Sequence, residues 1–201
     1  MSINTESNKE TFLDNLTACL QNRAGGDRFM IWLCGTDFFT APASTRFHLS
    51  EPGGLCQHSL NVHSRMIALL DAFTVDQPSE FLQSAWLVAM LHDVCKANFY
   101  TTEMRNKKDE NNKWIQVPFY TVADQFPYGH GEKSVYLIDR FVRLRTEEAV
   151  AIRWHMGGFD EAVKGGSYAI GEAYDKYPLA LFLHMADMMA SHVDEVKKVE
   201  D

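Results

Sequence analysis

The chain has 201 residues, 46% of them hydrophobic, which is enough for one sizeable packed domain. With 19 Lys and Arg against 27 Asp and Glu the formal net charge is −8, which argues against a broad basic surface for extended duplex nucleic acid while leaving room for a small anionic ligand. No apolar run approaches the roughly 20 residues of a membrane span, the opening MSINTESNKE has no apolar signal core, and Cys19, Cys34, Cys56 and Cys95 form no CxxC pair, so a soluble cytoplasmic chain with free thiols is expected.

Phe12, Leu13, Leu16, Cys19 and Leu20 recur at helical spacing and predict a helix over about 8–23, ended by Gly25-Gly26. A short helix follows near 28–33, then an irregular stretch, GTDFFTAPASTRFHLSEPGG, whose Pro and Gly residues mark a loop. Residues 55–73 read as a helix with His58, Val62, Met66 and Leu69 on one face. Residues 79–95 read as another, with Ala85, Val88 and His92 aligned and Trp86, Ala89 and Asp93 overlapping them. NFYTTEMR and KWIQVPFYTV are rich in aromatic and β-branched residues and flank the polar KKDENN, which predicts a β-hairpin near 98–121. Helices resume over about 131–144, 146–156 and 176–193, with a glycine-rich loop between the last two. The expected fold is mainly α, a helical bundle with a β-hairpin insertion.

The chemistry concentrates at His92-Asp93, side by side at the foot of the apolar run FLQSAWLVAMLHD. Burying a carboxylate beside an imidazole is costly unless something pairs with both, and a divalent metal does so economically. His58 shares its face with apolar residues, His155 ends AVAIRWH, and Asp187 stacks over Leu183 and Ala180. One such histidine is ordinarily a hydrogen-bonded core residue. Three histidines and two aspartates from four helices are hard to satisfy in one core without a metal.

His58, the doublet His92-Asp93 and Asp187, in that order and on helices, resemble the H…HD…D signature of the HD-domain metal-dependent phosphohydrolase superfamily. GGLCQHSLNV, LHDVCK, PYGHGEKS, IRWHMGG and LHMADMMAS are similar to the HD domains of bacterial 3′-5′ exoribonuclease-type proteins and of small prophage-type HD hydrolases, over roughly residues 38–195. The resemblance implies an N-terminal helical extension, 1–37, packed on an HD-type metal-binding domain, 38–201. It implies metal ligation by His58, His92, Asp93 and Asp187, with His130 and His155 as further ligands and Asp93 bridging two ions. Many two-metal relatives place two adjacent histidines at the later position; here Met156 follows His155. Lys96 completes HDVCK, one turn past Asp93, where a cation can hold a phosphate oxygen, so Asp93 and Lys96 are the candidate catalytic residues. Relatives often have glycine at the position of Cys95, which reads as a packing substitution.

The implied activity is hydrolysis of a phosphomonoester or phosphodiester of a nucleotide or nucleic-acid end by a metal-activated water, with one or two divalent ions (Mn, Fe, Co, Ni, Zn or Mg). Two alternatives use the same residues: a mixed-valent di-iron oxygenase and a non-catalytic nucleotide sensor. Outside the six ligands, His48 is a candidate for the edge of the site, Gly129–Ser134 with Lys133 for an anion-receiving helix start, and His184 for support of the ligands. Arg65 reads as solvated. The aromatic hairpin is a candidate pocket cover or homodimer contact.

Overall fold

The computed structural model describes residues 3–73 and 77–196. The outer ends of the two expected domains, 1–2 and 197–201, lie outside the described residues. The helices run α1 (Thr5–Leu20), α2 (Gly26–Cys34), α3 (Gly54–Phe73), α4 (Ser79–Leu91), α5 (His130–Asp139), α6 (Thr146–Trp154), α7 (Glu161–Lys164), α8 (Ala169–Lys176) and α9 (Pro178–Met189). Between α4 and α5 stand the strands β1 (Tyr100–Lys108) and β2 (Trp114–Val122). The fold is mainly α with one antiparallel hairpin.

Local signals explain the helix starts. The Asn4 side chain accepts the Ser7 N–H at the head of α1, and Glu6 sits in its first turn, where the helix dipole favours negative charge. Pro178 opens α9, a position where its missing N–H costs nothing. The core then forms where α3, α4, α6 and α9 face one another. Val62 and Met66 from α3, Val88 and Leu91 from α4, Ile152 from α6 and Leu183 from α9 are all fully buried. Each such side chain contributes about 1.5–3 kcal/mol of burial. Phe12, Leu16 and Leu20 of α1 belong to this same apolar cluster, so the N-terminal helices share the core of the remainder.

One buried polar anchor ties the layers. Glu148, in the first turn of α6, is fully buried and accepts from the Arg23 guanidinium, from Ser84 Oγ of α4 at 2.7 Å and from the Arg145 N–H at 2.8 Å. The chain between α1 and α2 is thereby fixed against α4 and α6.

The hairpin pairs Tyr100 with Val122 through Lys108 with Trp114. Its turn lies where KKDENN placed it: the Asp109 carboxylate accepts from the Asn111 and Lys113 N–H groups, and Asn112 takes φ 62°. Most of both strands is exposed, and the root is held by the Tyr100 hydroxyl donating to the Ala43 carbonyl.

Four boundaries differ from expectation, the first being that of α5, which stops at Asp139 and not near 144. α1 stops at Leu20, and Gly26 begins α2 instead of terminating α1. α4 stops at Leu91, so His92 and Asp93 lie just past the α-helix, Asp93 with φ −102° and ψ 16°, followed by a 3-10 turn over Val94–Lys96. The glycine-rich interval before α9 is not a plain loop. It holds a 3-10 turn at Gly157–Phe159, the single turn α7, capped by Asp160, and α8. Segments this short carry too few periodic positions to stand out in sequence.

Candidate metal centre

His58 comes from α3, His92 and Asp93 from the end of α4, His130 from the first position of α5, His155 from the end of α6 and Asp187 from α9. The structure brings all six together around Asp93. Asp93 Oδ2 lies 3.7 Å from His58 Nε2 and 3.5 Å from His92 Nε2. Its other oxygen, Oδ1, lies 2.8 Å from His130 Nε2 and 3.6 Å from His155 Nε2. His58 Nε2 is also 3.3 Å from Asp187 Oδ1 and 3.3 Å from His92 Nε2. The single carboxylate thus faces one cluster with each oxygen.

Two glycines allow this convergence. A Cβ on Gly131 would stand 2.4 Å from the Arg153 carbonyl oxygen, so only glycine lets the start of α5 press against the end of α6 and bring His130 beside His155. Gly157 has φ +56°, and a Cβ there would meet the His184 ring at 2.2 Å. That closeness matters because His184 Nδ1 donates to the His155 carbonyl at 2.7 Å and supports the ligand-bearing turn.

The imidazole tautomers carry the electrostatic argument. His92 Nδ1–H donates to the Ala89 carbonyl at 2.9 Å and His155 Nδ1–H to the Ile152 carbonyl at 2.7 Å. His58 Nδ1–H donates to Glu195, at 3.0 and 3.1 Å from its two oxygens. With each Nδ1 occupied as a donor, the neutral rings present Nε2 lone pairs to one another and to two carboxylates. His155 Nε2 is buried and has no hydrogen-bond partner among the described residues. Such a gathering of acceptors is relieved by protons on the rings or by a metal ion among them.

The spacing fits an ion better than hydrogen bonds. Two ligands about 2.1 Å from a shared metal in tetrahedral geometry stand about 3.4 Å apart. The pairs at 3.5, 3.6 and 3.7 Å lie close to that separation and exceed the usual hydrogen-bond length of about 2.7–3.2 Å. The His130–Asp93 contact, at 2.8 Å, is an ordinary hydrogen bond. These buried groups could hold a metal ion, and the donor set of imidazole and carboxylate suits a divalent first-row metal.

Without such an ion, protons take its place. Burial opposes the charge on His58, but hydrogen bonds to Asp187 and Glu195 overcome it and push the imidazole up to about 10. Burial holds His92 down at about 4, so it remains a neutral lone-pair donor. Asp93 lies well below the usual carboxylate range because Lys96 and the surrounding histidines outweigh its burial. Lys96 Nζ is 2.7 Å from Asp93 Oδ2 and donates to the Ala43 carbonyl at 2.9 Å. Against its burial, the Asp93 charge raises its pKa, so it stays cationic.

The other candidates fall in distinct places. His48 lies against the site, its ring centroid 5.0 Å from that of His58 and its Nε2 3.9 Å from Glu195 Oε2. Burial lowers it to about 4. Arg65 pairs with Asp194 at the surface, tying α3 to the turn that follows α9. Lys133 is buried, ion-paired with Asp124 and 5.0 Å from the Phe99 ring centroid. It lines a cleft of about 530 Å³ that also borders His130 and Cys95, with Phe99, Phe159 and Lys164 and the carboxylates of Asp124, Glu132, Asp160 and Glu161 in its wall. A second groove, of about 590 Å³, runs between α5 and α6 along Tyr136 and Trp154 and contains none of the clustered ligands.

Sequence reasoning missed Glu195. It lies in DEVKKVE, which reads as a solvated charged tail, yet it is buried, binds His58 Nδ1 and accepts from Asn61 Nδ2 at 2.8 Å. The cause is a π-turn over Ala190–Asp194, whose extra residue rotates Glu195 inward; its N–H donates to the Ala190 carbonyl at 3.0 Å. Asp124 was missed as well, and its signal is the need of buried Lys133 for a counter-ion.

Comparison with models of protein families, with curated proteins and with solved structures finds no match.

Proposed function

We propose that the chain is a metal-dependent phosphohydrolase of HD type, acting in the cytoplasm on a phosphomonoester or phosphodiester of a nucleotide or nucleic-acid end. The observation that carries the reading is the position of Asp93, one oxygen toward His58 and His92, the other toward His130 and His155, with His130 bordering an open cleft. In this reading His58, His92, Asp187 and Asp93 would hold one divalent ion, and Asp93, His130 and His155 would hold a second. Bound there, divalent ions would supply Lewis acidity toward a phosphoryl oxygen and a lowered pKa for water.

The chain's own residues then have separable tasks. Glu195, the Ala89 carbonyl and the Ile152 carbonyl fix the tautomers of His58, His92 and His155, so ligand lone pairs are aimed before any ion arrives. Lys96 is pinned by Asp93 and Ala43, so its charge is fixed in place to offset the negative charge that grows on the phosphoryl group. Lys133 is paired with Asp124, so in this reading Lys164 is the lysine at the cleft wall that meets an anionic substrate. Phe99 and Phe159 offer apolar surface for the remainder of the substrate. The cleft's size favours a small ligand over a duplex.

The test is hydrolysis of a panel of nucleotides and a model phosphodiester by purified chain with added Mn²⁺, Co²⁺ or Ni²⁺. Turnover is expected in the wild type and lost in Asp93→Ala. Equal turnover in that variant overturns the mechanism. Tight nucleotide binding without turnover across the metals points instead to a sensor.

A further inference from the structure

Cys95 is buried and free, yet it is not a member of the contiguous apolar cluster that takes in Cys19 and Cys56. Its Sγ lies 3.4 Å from His130 Nδ1 and 3.9 Å from His130 Nε2, and it falls within one ligand-sized group with Asp93 and His130. The 3-10 turn after Asp93 carries it, and its N–H is held by Ser134 Oγ at 3.2 Å, which fixes the thiol beneath the first residue of α5. The unpartnered, fully buried His155 Nε2 points at Asp93 Oδ1 from 3.6 Å, and its ring centroid lies 5.2 Å from that of His130. A thiolate and an imidazole on one tetrahedral ion stand about 3.6 Å apart, given bonds of about 2.3 and 2.1 Å. The 3.9 Å separation of Cys95 Sγ and His130 Nε2 needs only a few tenths of an ångström of closure.

We infer that Cys95 is a ligand of the second metal ion, completing a set of one thiolate, two imidazoles and one carboxylate with His130, His155 and Asp93. The inference rests on the two-ion reading above. On binding, the Cys95 S–H proton is released to solvent and the sulfur donates its pair to the ion, one proton per ion bound. The thiolate stands in the role of a second histidine, which Met156 cannot supply beside His155. A soft sulfur donor in a four-coordinate set favours Zn²⁺, Co²⁺ or Fe²⁺ over Mg²⁺ and Mn²⁺. The two ions therefore sit in unlike sites, one of nitrogen and oxygen donors only, the other including sulfur. The cleft reaches Cys95 and His130 directly, so the sulfur-bearing site is the one an incoming ligand meets.

The experiment is titration of the metal-free chain with Co²⁺, followed in the near-ultraviolet and visible range. The wild type is expected to develop a thiolate-to-cobalt charge-transfer band that grows with the second equivalent. Cys95→Ser keeps the size and hydrogen-bonding capacity of the side chain and is expected to lose the band while still binding the first equivalent. Cys95→Ala should behave alike, with circular dichroism confirming the fold of both. A band of undiminished strength in Cys95→Ser, or Co²⁺ binding by the wild type with no such band, overturns Cys95 ligation and leaves the metal centre standing. No Co²⁺ binding at all overturns both readings.

Discussion

Removing the Glu195 side chain tests whether the metal site is prepared by its surroundings. Glu195 accepts from His58 Nδ1 at 3.0 and 3.1 Å and from Asn61 Nδ2 at 2.8 Å, so its loss frees the imidazole to rotate and leaves the Nδ1–H buried without its carboxylate. Loss of such a carboxylate–imidazole support costs about 10–100-fold in metal affinity, or about 1.4–2.7 kcal/mol. Glu195→Gln is a graded control. Its side-chain oxygen can occupy the Oε1 position and accept from both His58 and Asn61, so about tenfold or less of the loss should appear. The assay is competition against a chromophoric chelator at fixed neutral pH, with circular dichroism to confirm that both variants fold. Glu195→Ala binding metal as tightly as the wild type refutes the reasoning, because His58 would then be held without it.

Four further outcomes follow from the structure. An ion that binds only the folded chain, supplied at 100 times its Kd, adds about 2.7 kcal/mol. For a chain of this length that raises Tm by about 5–11 °C in a thermal melt, and a chelator should reverse the rise. Breaking the buried Arg23–Glu148 pair by Glu148→Ala should cost about 3–5 kcal/mol in denaturant unfolding, because Arg23 is left without its partner. Burial raises the Glu148 pKa, but Arg23, Ser84 and the Arg145 N–H bring it below its ordinary value. Its stabilisation is therefore present above the unfolded carboxylate range and lost as pH falls through the lower folded value. The acid limb of a stability–pH curve should be shallower in Glu148→Gln, and an unchanged limb would contradict that assignment. Gly131→Val should unfold the chain or displace α5, since even a Cβ meets the Arg153 carbonyl at 2.4 Å; a fully folded variant with native metal affinity would show that the close approach is not needed.

The large helices were legible because apolar spacing and core burial report the same physics. Val62, Met66 and Leu69 recur on one face of α3 and are buried together. The hairpin was legible from its aromatic and β-branched strands around a polar turn. Residues His58, His92, Asp93, His130, His155 and Asp187 were each nameable from sequence, and the structure gathers them in one place. What sequence did not carry was geometry that depends on a single extra residue or a close approach. The π-turn that swings Glu195 onto His58 has no compositional signature, and Glu195 hid in a charged tail. Cys95 read as a packing substitution because nothing in HDVCK shows that the α-helix stops at Leu91 and that the following 3-10 turn places Sγ by His130.

The most direct measurement of the central claim is the metal content of the chain after loading with Co²⁺ or Mn²⁺ and desalting, by elemental analysis beside Asp93→Ala. The account predicts two Co²⁺ per wild-type chain, a Mn²⁺ content that falls short at the sulfur-bearing site, and loss of both ions in the variant, because Asp93 faces both clusters. A wild-type chain that retains no metal, or an Asp93→Ala chain that retains two ions, contradicts it.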